Sequence, residues 1–204
     1  MTAAHDPYTP PAAAIVEPAP DDAREAPFYV VSTTKLVVLY FGTLGLYQLF
    51  WFYMHWRRWR SGRSETVWPV ARAIFALFYV HALDRRIGAT LDAHARARHR
   101  WTFAAATVYV MATALDYGSA IAWEWMSWPP DDAWLRVGEW LGILLMPIVC
   151  ASLVVLQRAA NAACGDPQAT SNRRFTLFNA AWVALGVSTT TWVMYMLTQG
   201  FVAS

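Results

Sequence analysis

Residues 36–56, LVVLYFGTLGLYQLFWFYMHW, are twenty-one positions without a formal charge, and no other feature of the 204-residue chain limits its fold as strongly. A stretch that long and apolar suits a membrane-embedded segment better than the core helix of a soluble domain. Positive charge stands at both ends, Lys35 before it and Arg57, Arg58, Arg60 and Arg63 after it. Basic residues collect on the cytoplasmic side, so one straight crossing would strand one of the two ends. Gly42 and Gly45 interrupt the run, each lowering helix propensity by about 1 kcal/mol relative to Ala. The run is therefore expected to turn back on itself between these glycines. Thr43 or Tyr47 would satisfy the backbone groups freed there. Two ordinary crossings are the competing arrangement.

The rest of the chain fits a membrane setting. Hydrophobic residues make up 57% of it and charged residues only 15%, against roughly a quarter charged in soluble domains. The twelve Trp are read as depth markers, since indoles favour the boundary between lipid tails and headgroups. Cys150 lies in an apolar run and Cys164 in a polar stretch, so no disulfide is expected between them. No secretory leader is recognisable before Lys35.

Residues 1–27 hold six of the eleven Pro and five acids against Arg24, and read as a disordered acidic Pro/Ala-rich tail. Residues 28–204 read as a helical membrane domain with embedded segments at about 36–56, 68–83, 101–123, 134–157 and 175–197. The fold class is thus all-α, a multi-pass α-helical membrane protein with three full spans and two N-terminal segments that are membrane-embedded or re-entrant. Segment 68–83 is too short to cross and is flanked by arginines on both sides, which suits an interfacial or re-entrant helix. Residues 84–100 follow as a basic amphipathic helix, with Ile87 and Leu91 on one side, fitted to anionic headgroups. Pro147 is expected to kink the fourth segment. Under this topology every Lys and Arg except Arg136 is cytoplasmic.

Ionisable groups inside a bilayer are costly and find partners, so Asp116, Arg136 and Glu139 are the candidate intramembrane polar residues, with an Arg136–Asp116 pair in view. Ser188, Thr189, Thr190 and Thr191 form a polar patch in the last segment. Ala180, Ala184 and Ser188 give that segment a small-residue face for close helix packing. His81, Asp84, Asp92, His94 and His99 have the ligand types of a metal site but poor spacing and adjacent arginines, so no metal and no cofactor is expected. No nucleophile, dinucleotide or phosphate-loop motif occurs, which argues against an enzyme, and no basic run suits nucleic acid.

Two patterns carry a resemblance. Val31-Ser32-x-x-Lys35-Leu36 precedes Thr43-Leu44-Gly45-Leu46-Tyr47-x-x-x-Trp51-Phe52-Tyr53, and Trp68-Pro69-x-x-Arg72-Ala73 follows it. Gln157-x-x-x-Asn161, Asn172-x-x-Phe175 and Asn179 appear near the other end. Together they resemble a family of bacterial multi-pass inner-membrane proteins of unknown function with a T-x-G-x-Y-x-x-x-W signature (DUF4234-like). The resemblance implies an architecture and no reaction. It singles out Lys35, Thr43, Gly45, Tyr47, Trp51, Arg72, Gln157, Asn161 and Asn179. The chain departs from it at His55-Trp56, where relatives carry Asn before the Trp. The expected function is that of a non-enzymatic inner-membrane structural or interaction protein with a basic cytoplasmic face, contacting anionic headgroups through residues 84–100, with a homo-oligomer or a protein partner allowed. The alternative is a small oligomeric transporter or channel using Asp116 and the patch from Ser188 to Thr191.

Overall fold

The computed structural model describes residues 26–61, 66–94, 100–125 and 132–202, without the side chains at 123–124, 132–140, 193–194 and 196–202. The tail expected over residues 1–27 lies almost wholly outside the described residues. Those residues form seven α-helices and no strand: α1 (Thr33–Gly42), α2 (Tyr47–Ser61), α3 (Pro69–Ile74), α4 (Ala76–Ala93), α5 (Thr102–Trp125), α6 (Asp132–Ala163) and α7 (Leu177–Val202), with a short 3-10 turn at Thr170–Asn172 before α7.

The break in the long apolar run follows from its sequence. Ser32 caps α1, its Oγ accepting from Lys35 N at 3.2 Å. At the other end Leu44 and Gly45 take positive φ values of 48° and 83°, which cannot continue a right-handed helix. Gly45 N then donates back to Tyr40 O at 2.8 Å, closing α1 as glycine-terminated helices commonly close. The Thr43 hydroxyl bridges the two helices, donating to Leu39 O at 2.8 Å and accepting from Tyr47 N at 2.9 Å. The backbone freed at the turn is thus satisfied from within the protein, as the apolar setting requires.

Contacts along α6 show that the chain reverses here. Tyr40, near the end of α1, lines a small cleft with Gln48 of α2 and with Gly142 and Val149 of α6. Farther along α2, Trp51 and His55 meet Gln157 of α6. At the far end Trp59 stacks on Phe28 at 5.3 Å, and Phe28 O lies 3.6 Å from Cys164 Sγ. Lys35 begins α1 beside Asn172 and Arg174. Both arms of the turn therefore have their charged ends where α6 finishes, and His94 at the end of α4 lines a cavity there with Arg58 and Asp166.

The other segments differ from the sequence reading in three ways. The short apolar segment and the basic helix are not divided at 83–84. The break falls at Phe75, before which α3 starts on Pro69, and α4 then runs unbroken to Ala93. Val80, Leu83, Ile87 and Leu91 are at most 1% exposed, so the apolar side of α4 faces protein. Secondly, α6 continues through Pro147 to Ala163, carrying Arg158 and Asn161 inside the helix rather than in the following loop. Thirdly, Trp51, Trp56 and Trp59 are core residues rather than depth markers, whereas Trp68, Trp101, Trp125 and Trp192 are exposed.

Helix α7 packs chiefly on α1, and the contact is backbone to backbone. A Cβ on Gly186 would stand 2.0 Å from Gly42 O and 2.6 Å from Thr43 Cα. The close approach therefore centres on Gly186 and not on the face of Ala180, Ala184 and Ser188. Gly186→Ala should displace α7 and lower stability by about 1–3 kcal/mol, because backbone atoms cannot rotate out of the way. Gly118→Ala, whose Cβ would meet nothing within 4 Å, should be neutral. Thermal unfolding of both variants in detergent is the check, and equal midpoints would refute the close approach.

Candidate functional site

Gln157 and Asn161 are one helical turn apart on α6 and project from the same face. Trp51 and His55 have the same spacing on α2. Between the two helices runs the extended segment 28–31, which belongs to no helix and is largely buried. Its peptide groups have no ladder to join, yet they cannot be left unpaired in an apolar interior.

Side-chain amides supply the partners. Gln157 Nε2 donates to Tyr29 O at 2.9 Å and to Asn161 Oδ1 at 2.6 Å. Asn161 Nδ2 donates to Val31 O at 3.0 Å, while its Oδ1 also accepts from Val31 N at 3.3 Å. Asn172 Nδ2 donates to Val30 O at 2.8 Å and to the Tyr29 hydroxyl at 3.2 Å. On the opposite side of the Gln157 amide, Oε1 accepts from the Trp51 indole N–H and lies 3.3 Å from His55 Nε2. An indole nitrogen can only donate, so Trp51 fixes the orientation of this amide, and both its donors and both its acceptor sites are used.

Lys35 closes the network toward the basic end. The residue is 2% exposed, and Nζ donates to Asn172 Oδ1 at 2.7 Å and to Arg174 O at 2.8 Å. Burial among neutral acceptors holds its pKa below the ordinary lysine value. Asp166 anchors the same loop. Burial pushes its carboxyl up, but the backbone N–H groups of Ser171 and Thr170, then their hydroxyls, outweigh this and leave it below the usual carboxylate range.

The residues singled out by the resemblance fall into three places. Lys35, Trp51, Gln157 and Asn161 join this network directly, and Tyr47 touches it through its hydroxyl, 3.5 Å from that of Tyr29. Thr43 and Gly45 build the turn between α1 and α2. Arg72 and Asn179 stand apart: the Arg72 guanidinium lies 4.3 Å from the centre of the Trp56 ring, and Asn179 Oδ1 accepts from Thr176 N at 2.9 Å at the start of α7. His55, which departs from the family pattern, keeps a polar contact there, although its Nδ1 has no hydrogen-bond partner among the described residues.

The candidate intramembrane residues do not converge here. Asp116 lines a cleft of about 40 Å³ with Tyr40, Gln48, Thr113, Tyr117 and Gly142, on the half of α6 away from the basic end. The Arg136 and Glu139 side chains lie outside the described residues, as does His99. Thr189, Thr190 and Thr191 bond the carbonyls of Leu185, Gly186 and Val187 one turn back in their own helix, and none lines the Asp116 cleft. Among the described residues no three His, Cys, Asp or Glu side chains could share a metal ion.

The resemblance marks these amides in the sequence without showing what they hold. The signal was present in the aromatic and β-branched approach at 28–31, a strand-like segment without a strand to pair with. As built, the network is a lock. It contains no nucleophile–base pair, and its only charge, on Lys35, is occupied by neutral acceptors.

Gln157→Leu leaves the Trp51 indole, His55 and the Tyr29 carbonyl without their partner, so stability should fall by about 3–9 kcal/mol at 1–3 kcal/mol for each uncompensated group. A midpoint within 1 °C of wild type in detergent would refute the lock. The Asp166 carboxyl, titrating lower in the folded state than when unfolded, adds stability at neutral pH that disappears as the pH falls through its folded value. Below about pH 4 wild type should therefore lose stability more steeply than Asp166→Asn. Melting curves from pH 7 to 3 test this, and parallel profiles would count against it.

Compared with family models, curated proteins and solved structures, the chain matches none. Its function must be argued from geometry.

Proposed function

We propose that the chain is a non-enzymatic, multi-pass protein of the bacterial inner membrane, in which α5, α6 and α7 cross the bilayer, α1 and α2 form a re-entrant hairpin, and α3 with the start of α4 lies in the interface. The observation that carries this reading is where apolar side chains remain uncovered. Trp68, Ile74 and Phe78 are 77%, 63% and 74% exposed on α3 and α4. Met111, Ile121 and Trp125 are exposed on α5, Ile143 and Leu144 on α6, and Leu177, Leu185 and Trp192 on α7. Soluble monomers rarely leave contiguous apolar surface of this extent to water, whereas lipid covers it without cost.

Among the described residues one stretch, Leu141–Ala163, is long and apolar enough to cross a membrane by length and composition. Helix α5 carries Asp116 and several threonines, and most α7 side chains beyond Trp192 lie outside the described residues, so for these two helices the argument rests on exposure. Lys35, Arg57, Arg58, Arg60, Arg158, Arg173 and Arg174 gather near one end of α6, which supports a cytoplasmic orientation for that end. Of the residues in the T-x-G-x-Y-x-x-x-W pattern, Thr43 and Gly45 build the turn and Trp51 joins the amide network. The role we assign is a scaffold: a basic cytoplasmic face that meets anionic headgroups or a partner, held by a polar lock with no catalytic chemistry.

A second reading, a small oligomeric transporter, draws on the Asp116 cleft. The hydroxyls of Thr189, Thr190 and Thr191 are turned to their own helix, so Asp116 alone supports it. Ion flux in liposomes that Asp116→Asn abolishes would favour transport over the scaffold.

Single cysteines replacing Pro20, Gly62, Ala95 and Ser127, in a background lacking Cys150 and Cys164, test the topology. A membrane-impermeant maleimide on intact spheroplasts should label position 127 and spare 20, 62 and 95. Labelling at 62 without labelling at 20 or 95 would establish two crossings in place of the hairpin.

A further inference from the structure

A cleft of about 470 Å³ opens between the start of α1, the last turns of α6 and the loop before α7, and Ser32, Thr33, Thr34, Arg158, Gln168 and Arg173 are among its lining residues. Two arginines from different elements thus line one concave space. Both arginines are exposed, and neither makes an ion pair or hydrogen bond with another described residue. Among the described residues no carboxylate lines the cleft to neutralise them. Asp166, the one acid of this loop, turns its carboxylate to Thr170 and Ser171, with all four contacts between 2.8 and 3.1 Å.

The wall opposite the arginines adds donors of the right kind. Ser32 Oγ accepts from Lys35 N, and helix geometry leaves the N–H groups of Thr33 and Thr34 without intrahelical acceptors. The hydroxyls of Thr33 and Thr34 stand beside them. Asn161, which also lines the cleft, is tied to Val31 and Gln157, and lining residue Ala169 is 1% exposed, so this part of the wall is held in place.

From these observations we infer that the cleft formed by Arg158, Arg173 and the Ser32–Thr34 wall binds a phosphate group, held between two guanidinium forks and the hydroxyl and N–H donors of α1. Planar forks match phosphate oxygens in pairs, which a diffuse basic surface does not. The shared chemistry is the phosphate itself, carried by a phospholipid headgroup or by a soluble anion. The site differs from the general headgroup attraction of residues 84–100, and it does not depend on how many helices cross the bilayer.

The test uses the full chain in a neutral detergent, with thermal midpoint and equilibrium binding as readouts. The probes are inorganic phosphate or pyrophosphate in one arm and phosphatidylglycerol against phosphatidylcholine nanodiscs in the other. Wild type should be stabilised in at least one arm. Arg158→Gln and Arg173→Gln should each weaken binding about tenfold or more, as loss of a charged hydrogen-bonding partner does, and the double variant should abolish it. Arg85→Gln, an exposed arginine on α4 away from the cleft, should bind inorganic phosphate and pyrophosphate as wild type, and it serves as the control in that arm alone because residues 84–100 attract anionic headgroups by themselves. Unchanged midpoints without ligand, with an unchanged helical circular-dichroism spectrum, separate lost binding from lost folding. Stabilisation by the soluble anions alone assigns a soluble ligand, and stabilisation by phosphatidylglycerol alone assigns a lipid. The proposal is overturned if neither probe binds, or if the Arg85 variant loses as much affinity for the soluble anions as the cleft variants. Failure here leaves the spheroplast labelling result untouched, since that reads topology and not anion binding.

Discussion

A non-helical segment buried among helices has no ladder to take its backbone hydrogen bonds, and the organisation of this protein follows from meeting that demand at residues 28–31. In a sheet a neighbouring strand would supply the acceptors and donors. Here α6 does so with side chains, Gln157 and Asn161 reaching one turn apart to the peptide groups of Tyr29 and Val31, while Asn172 reaches Val30 from the loop. Because each amide carries both donors and acceptors, the group that satisfies the segment also grips the helix beyond it. Gln157 binds Tyr29 through Nε2 and α2 through Oε1, so three layers are fixed by one residue. An apolar side chain could fill the same volume, but it would leave several buried groups unpaired at about 1–3 kcal/mol each.

The turn at Thr43 uses the same economy of groups. Its hydroxyl donates to the end of α1 and accepts from the beginning of α2, and the positive φ at Gly45 lets the two helices part immediately afterwards. Without that bridge both helix ends would need water or a partner helix to satisfy them. With it, the charged ends of α1 and α2 lie together where α6 ends. The collection of arginines there is a consequence of the reversal, and the two arginines of the cleft are part of that collection.

Much of this was legible in the chain. The reversal could be argued from charge at both ends of one apolar run and from two glycines inside it, and the helix count from hydrophobic length. Boundaries were less accessible. The division at Phe75 depends on how α3 packs on α2, which no local pattern records, and the arginines of α4 drew the reading toward a lipid-facing helix whose apolar side in fact faces protein. Tryptophan misled for a related reason: its size suits a core as well as an interface, and only tertiary placement separates Trp51 from Trp68. The amide lock was half visible, since its residues stood out by resemblance. The segment it binds showed only as an aromatic and β-branched approach, because four residues are too few to carry a periodicity that says what they pair with. Gly186 was invisible for the plainest reason, that a glycine in an apolar helix shows its use only when another backbone is seen against it.

These attachments are unevenly distributed, and that has a consequence for motion. Helices α2 and α6 are joined by a network in which the Gln157 amide has no unused donor or acceptor, so separating them breaks several buried hydrogen bonds at once. Helix α7 has no comparable tie. Of its described side chains only Asn179 and Gly186 are buried; the first caps the helix internally, and the second serves only to let α1 come close. What holds α7 is therefore dispersion, across that backbone contact and through half-buried Trp182 and Val183 against Phe50 and Gly42, and such contacts fall off quickly with separation. Local opening should begin where buried contacts are fewest. Displacement of α7 from α1 would expose the turn at Thr43 while leaving the hydrogen bonds of the lock at Gln157 intact.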